Sequence, residues 1–142
     1  MSSAEEFGII GKMKEDGNTV IYSLDNYIPE QHVVDEFPTL VVIKWEFDGS
    51  ENAGMPSKEL QEKMYLADDL FNEIVESGLS FRAYARTGNN LREYVYYCID
   101  QPSFLHALNE AADSYPEFPI EIVFYDDPKW SDYKKLISAF EG

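Results

Sequence analysis

The stretch LSFRAYARTGNNLREYVYYCI, residues 79–99, decides the fold. Its halves, 79–87 and 91–99, contain many aromatic residues and alternate in polarity, as strands with two different faces do. The glycine and two asparagines at 88–90 are residues that tight turns favour. The stretch therefore predicts an antiparallel β-hairpin.

Two registers of this hairpin are open. A three-residue turn over 88–90 pairs Thr87 with Leu91, whereas a two-residue turn pairs Arg86 with Glu93, which also suits their charges. With the three-residue turn, arginines and tyrosines collect on one sheet face, here called the Arg/Tyr face. Its members are Arg82, Tyr84, Arg86, Arg92, Tyr94 and Tyr96.

The Arg/Tyr face is the candidate binding site. Arginine and tyrosine are enriched at interface hot spots, and aromatic sheet faces also stack bases in RNA-binding domains. The alternative is a self-covered face on which arginine stems pack over tyrosine rings and pair with glutamates. We expect the Arg/Tyr face to lie opposite the long helices, with Phe81, Val95 and Tyr97 in the core.

Helices are predicted before and after this hairpin in the sequence. Ser57 is a plausible N-cap for a long helix with apolar residues at helical spacing, and Gly78 ends it. Asp100 is predicted to cap a second helix, in which Pro102 is tolerated because it falls in the first turn. Asp127 is predicted to cap a short last helix, with Pro128 at its first position and Trp130 packed inward.

Strands are predicted over 38–48 and 120–125. The order from residue 38 onward is then β-α-β-β-α-β, which indicates a ferredoxin-like α+β sandwich. An N-terminal hairpin turning at Asp16-Gly17 precedes it, and residues 25–37 are expected to form a loop. One domain over residues 1–142 accommodates all of these elements.

Composition restricts the partners. The chain carries 27 acidic and 11 basic residues, a formal net charge of -16. Such a surface repels phosphate groups, so nucleic acid and anionic membrane are not expected partners. A protein with a basic surface is the natural electrostatic match, although acidity also serves solubility alone. The oligomeric state is left open.

Residues with catalytic or metal-binding chemistry are scarce. Cys98 is the only cysteine, and His32 and His106 are the two histidines, too few for a zinc site without carboxylates. Phosphate-binding, dinucleotide-binding and hydrolase motifs are absent from the sequence. We therefore expect no catalytic residues, no metal and no cofactor. The single cysteine and the acidic N-terminus without an apolar segment favour a cytoplasmic protein.

Short motifs carry a family resemblance. The segments GMPS at 54–57, REYVYY at 92–97 and DPKW at 127–130 occur in an order that resembles the bacterial domain-of-unknown-function family numbered 695. The resemblance implies no assigned activity and no catalytic residues. Members of that family are sometimes joined to a domain resembling the regulator of ribonuclease E activity, which does not transfer a function to this chain.

Three functional hypotheses follow. The leading one is a non-enzymatic binding or regulatory module, because the sequence has no catalytic constellation, an acid excess and the predicted Arg/Tyr face. The second is a small-molecule enzyme that uses the Arg/Tyr face for an anionic ligand, which requires a deep cleft. The third is an inhibitor or protective partner of a basic enzyme such as a nuclease.

Overall fold

The computed structural model describes residues 9–24 and 27–141, and it contains six strands and four helices there. The strands are β1 (Ile9–Glu15), β2 (Asn18–Leu24), β3 (Thr39–Glu46), β4 (Ser80–Gly88), β5 (Leu91–Cys98) and β6 (Glu121–Asp126). The helices are α1 (Gln31–Glu36), α2 (Lys58–Glu76), α3 (Gln101–Ala112) and α4 (Ser131–Glu141). The predicted α+β class is confirmed.

All six strands form one antiparallel sheet in the order β1-β2-β4-β5-β3-β6. The N-terminal hairpin turns at Asp16 and Gly17, whose φ angles of 51° and 83° are those of a tight hairpin turn. Because β2 pairs with β4, this hairpin widens the sheet and does not cover either face. The predicted loop at 25–37 is wrong in part, since α1 lies within it.

Each face of the sheet has its own hydrophobic core. Helices α2 and α3 cover one face, and α1 and α4 cover the other, so neither face is left open. The larger core contains Val41, Ile43, Trp45, Met64, Ala67, Leu70, Phe71, Ile74, Tyr94, Tyr96, Cys98, Phe104 and Leu108. The second core contains Leu24, Val34, Phe37, Leu40, Ala83, Val95, Tyr97, Trp130, Tyr133 and Ile137.

The β4–β5 hairpin has the two-residue turn. Asn89 and Asn90 have φ angles of 50° and 65°, which a tight hairpin turn requires, and Arg86 pairs with Glu93. A bulge between Arg82 and Tyr84 then shifts the pairing by one residue. The register thus differs between the two ends of the same hairpin.

Candidate functional site

The Arg/Tyr face does not exist as one surface. Tyr94 and Tyr96 are buried in the core beneath α2, whereas Tyr84 packs on the opposite core. The expectation that these residues lie opposite the long helices is therefore wrong for Tyr94 and Tyr96, and also for Arg82 and Arg92, which contact Asp68 of α2. The physical reason is the two-residue turn together with the bulge, because a shift of one residue moves a side chain to the other face. Tyr84 and Arg86 do lie on the opposite face, as expected.

Two of the arginines converge on a buried acid. Asp68 in α2 accepts hydrogen bonds from Arg82 Nη2 at 3.4 Å and from Arg92 Nη2 at 3.0 Å, one on each carboxylate oxygen. The side chain of Asp68 is only 6% exposed. A buried carboxylate needs such partners, and two guanidinium groups on adjacent strands supply them.

Arg92 occupies a crowded position in this cluster. Its guanidinium carbon lies 4.6 Å from the ring centroid of Tyr94, and its Nη1 donates to the hydroxyl of Thr87. Its Nε is buried and has no hydrogen-bond partner within the part of the chain that the structure describes. Although burial opposes the charged form, the Asp68 carboxylate raises the pKa of Arg92 above its usual value. Arg92 is therefore a buried, permanently charged group.

Tyr94 and Tyr96 serve the core. The hydroxyl of Tyr94 donates to the carbonyl of Met64 at 2.8 Å, and its ring meets Phe71 edge-on at 5.0 Å. Burial raises the pKa of both tyrosines far above the usual value. Neither hydroxyl will act as an acid or a base near neutral pH.

Arg86 lies on the α4 face of the sheet and ties the two hairpins together. It forms an ion pair with Glu15 of β1 and lies 3.8 Å from a carboxylate oxygen of Glu93. Its Nη1 also donates to the carbonyls of Gly88 and Leu91. These contacts give Arg86 a structural role at the β1–β2–β4–β5 junction.

A cavity of about 210 Å³ lies between α2 and the sheet, and we call it the Arg92 cavity. Of the described residues that line it, Arg92 alone is charged. Its other lining residues are apolar or neutral polar: Ile21, Ser23, Met55, Pro56, Gln61, Met64, Tyr65, Ala85 and Thr87. Two segments that carry the family resemblance, 54–57 and 92–97, meet at this cavity.

A wider groove of about 540 Å³ lies on the opposite face, between α4 and the four strands β3 to β6, and we call it the acidic groove. Apolar and aromatic side chains form part of its surface, with four carboxylates and two lysines around them. The lining residues are Leu40, Val42, Lys44, Tyr84, Glu93, Tyr125, Asp126, Asp127, Ser131, Asp132 and Lys135.

Burial and like charges shape the chemistry of the acidic groove. Tyr84 donates its hydroxyl to Asp132 at 2.9 Å, which fixes both side chains. Burial raises the pKa of Glu93 above its usual value, while Arg86 and Lys44 lower it less. Glu93 is thus a partly buried carboxyl group of this groove, whereas Asp126 and Asp132 lie exposed at its rim.

The start of α4 is held by Asp127 and Trp130. Asp127 accepts hydrogen bonds from the backbone N–H groups of Ser131 and Asp132 and from the hydroxyl of Tyr97. These bonds lower the pKa of Asp127 even though burial opposes the shift. The helix begins at Ser131, later than predicted, so Pro128 belongs to a preceding turn and not to the first helical position.

The remaining candidate residues do not form a reactive site. Burial raises the pKa of Cys98 to about 12, so its thiol stays protonated. The exposed His32 and His106 lie beside Glu30 and Glu110, respectively. Within the part of the chain that the structure describes, no group of three or more His, Cys, Asp or Glu residues could hold a metal ion. None of the helices described there is long and apolar enough to cross a membrane.

Sequence reasoning missed Asp68, and it left the turn open between the three-residue form and the two-residue form that the structure has. Asp68 lies four residues after Met64 and next to Ala67, on the buried side of α2. An acidic residue at such a position in the apolar pattern could have predicted a buried cation as its partner. Asn90 accepts from the backbone N–H of Gly49 at 2.8 Å and thereby holds the loop that precedes α2. That long-range contact had no signal in the sequence.

One family model matches the chain. It describes a family of unknown function, DUF695, and it covers residues 12–137. No curated protein and no solved structure matches the chain. Because the family match spans most of the sequence, the chain belongs to the DUF695 family.

Proposed function

We propose that the protein is a non-enzymatic binding module that takes a basic, extended segment of a partner protein in the acidic groove. The observation that carries the proposal is a groove beside an edge strand that combines a partly apolar floor with more carboxylates than lysines. The groove combines Leu40 and Val42 with the rim residues Asp126 and Asp132. Apolar contact then supplies affinity, and the carboxylates select lysine or arginine.

Strand β6 supports binding by strand addition. It pairs with β3 on one side, and no strand of the described ranges 9–24 and 27–141 pairs with its other side. The unpaired backbone groups of such an edge can accept an additional strand. Tyr125 of β6 lines the groove and is 49% exposed, which suits an aromatic hot spot.

Charge argues for a basic partner over a second copy of this chain. Glu121 and Asp126 lie at the two ends of β6, and both are exposed. Antiparallel self-pairing about the middle of the strand would bring like charges of two copies together. The net charge of -16 adds to this repulsion. A lysine-rich or arginine-rich segment removes both penalties. A basic enzyme of the cytoplasm, where the free Cys98 stays reduced, is one partner of this kind.

We propose that the chain from β3 to β6 forms a ferredoxin-like unit. In that architecture β6 is an edge strand. The strand order β4-β5-β3-β6 with antiparallel neighbours supports it, as do the two helices on one face. The N-terminal hairpin occupies the β4 edge, which leaves β6 as the edge next to the acidic groove.

The test is a binding titration with an alternating lysine–valine octapeptide, followed by fluorescence anisotropy. We expect saturable binding that weakens as salt rises, and no binding of the same peptide with glutamate in place of lysine. Asp126→Lys should weaken binding by about tenfold, equivalent to about 1.4 kcal/mol. Glu62→Lys makes the same charge change on α2 and should have little effect, because Glu62 lies away from the groove.

A second pair of variants tests the aromatic contact. Tyr125→Ala should weaken peptide binding, whereas Tyr27→Ala removes a similarly exposed ring, 55% against 49%, away from the groove and should not. Equal affinities of these two variants, or binding that is insensitive to salt, would refute the proposal. Dimerisation that the peptide does not disrupt would assign the β6 edge to a second copy instead.

A further inference from the structure

We infer that the Arg92 cavity binds a small organic monoanion, a carboxylate that carries a short apolar group. The cavity lies on the α2 face of the sheet, opposite the acidic groove, so this inference stands independently of the proposed function. It rests on the charge of the cavity, on its lining and on its size.

The charge of the cavity is opposite to that of the protein. Although the chain has a net charge of -16, the charged residue that lines this space, among those in the ranges 9–24 and 27–141, is Arg92. A guanidinium group has five N–H donors in a planar fork that matches a carboxylate. Asp68 and Thr87 each engage one terminal nitrogen of Arg92 through a single oxygen. Donor capacity and positive charge therefore remain for an anion that enters from the cavity.

The lining selects an apolar group on that anion. Ile21, Pro56 and Ala85 give the cavity apolar walls, and Met55 and Met64 can adapt their shape to a ligand. The hydroxyls of Ser23 and Thr87 and the amide of Gln61 add neutral hydrogen-bonding groups. Apolar walls around a few polar groups are typical of small-molecule sites.

The size and the single cation restrict the ligand further. A volume of about 210 Å³ lies below the range of about 300–1,000 Å³ that holds drug-sized ligands. A phosphate group at neutral pH needs more positive charge and more donors than one partly engaged arginine supplies. A monocarboxylate with a short aliphatic chain meets both limits.

The methionines provide a direct assay. The chain has four, of which Met55 and Met64 line the cavity and Met13 lies on β1 outside it. With ¹³C-methyl-labelled methionine, titration with hexanoate should shift the signals of Met55 and Met64 in a saturable manner and leave Met13 unchanged. Hexan-1-ol and inorganic phosphate should each bind at least about tenfold more weakly than hexanoate, because hexan-1-ol lacks the carboxylate and phosphate lacks the apolar chain.

Variants separate the cavity from the cluster around it. Ser23→Leu places a larger apolar side chain in the cavity, leaves Arg92 in the sequence and should abolish the shifts. Ser114→Leu makes the same change at an exposed residue that does not line the cavity and should retain hexanoate binding. Arg92→Gln should weaken hexanoate by about tenfold or more, provided that the variant's circular dichroism matches that of the parent. Ser23→Leu keeps the inference testable if Arg92→Gln does not fold, because it leaves the arginine cluster intact.

The inference fails if the Met55 and Met64 signals do not respond to hexanoate, or if hexan-1-ol shifts them as strongly, which would mark an apolar void without anion recognition. Tyr125→Ala should leave hexanoate binding unchanged, so failure of the peptide titration and failure of this titration are distinguishable. Loss of hexanoate binding in Tyr125→Ala would contradict the assignment of the ligand to the Arg92 cavity.

Discussion

Replacement of Trp130 by alanine should be among the most destabilising single changes in the protein. The Trp130 side chain is fully buried and stacks on Tyr97, with ring centroids 4.4 Å apart and an interplanar angle of 9°. It also contacts Phe81 at 4.9 Å between ring centroids. Its Nε1 donates a hydrogen bond to the carbonyl of Phe37 at 2.8 Å. One side chain thus joins α4, two central strands and the segment before β3.

The magnitude follows from two contributions. Removal of a buried tryptophan ring costs about 3–5 kcal/mol in transfer energy and cavity formation. The carbonyl of Phe37 loses its donor, and an unsatisfied buried polar group costs about 1–3 kcal/mol unless water reaches it. Trp130 has a left-handed φ of 57°, but alanine also carries a Cβ, so that strain is common to both variants. We expect a loss of about 5 kcal/mol.

Urea denaturation followed by circular dichroism measures this loss. Trp45, the other tryptophan, is 3% exposed and remains as a fluorescence reporter in the variant. Trp130→Phe keeps one ring and removes both the hydrogen bond to the Phe37 carbonyl and part of the buried volume, so its loss should be smaller than that of Trp130→Ala. Tyr27→Ala, at an exposed ring, is the control. A loss below about 1.5 kcal/mol for Trp130→Ala would show that α4 does not depend on this anchor.

Three further predictions concern buried polar groups. Asp68→Ala should lower the free energy of unfolding by about 3–5 kcal/mol, because it leaves buried guanidinium groups without their carboxylate. Asp69→Ala, on the exposed side of α2, should change it little. Equal losses in the two variants would contradict the buried cluster. Cys98 should resist iodoacetamide in the folded protein and react after unfolding in urea, and fast reaction without urea would contradict its burial and raised pKa. Glu93→Gln should stabilise the protein at neutral pH but not below pH 4.5. Burial raises the pKa of Glu93 in the folded protein above the ordinary value of 4.5. The stability that the neutral carboxyl group contributes is therefore complete below pH 4.5, and it is lost as the pH rises through the folded-state pKa. If thermal unfolding showed the same effect of Glu93→Gln at neutral pH and below pH 4.5, this reasoning would be contradicted.

Local chemistry in the sequence predicted much of the fold. Ser57 accepts a hydrogen bond from the backbone N–H of Leu60 and starts α2, and Asp100 accepts from Ser103 and starts α3. Asp16-Gly17 turns the first hairpin. Each of these features depends on residues a few positions apart, so the sequence contains the interaction that decides it.

The candidate site could not be predicted in the same way, because it depends on a register set by distant contacts. The turn at Asn89 and Asn90 is fastened to other loops: Asn89 accepts from the side chain of Asn18, and Asn90 holds the backbone N–H of Gly49. These partners lie 71 and 41 residues away. Both contacts accompany the two-residue turn. The bulge between Arg82 and Tyr84 then shifts the register by one residue, so Arg82 pairs with Tyr96, the pairing that a three-residue turn also predicts.

The position of the arginines changes what the acid excess means for function. A surface patch of arginines would have given this acidic protein a second, cationic binding face. Arg82 and Arg92 instead bind Asp68 beneath α2, and Arg86 binds Glu15 and contacts Glu93. The positive charge of β4 and β5 is thus largely used within the fold, where each guanidinium satisfies a carboxylate. The arginines therefore do little to offset the acid excess, which supports the proposal of a basic partner at the groove beside β6. Arg92 also lines a cavity, and its guanidinium group is the reason why we infer a small anion there.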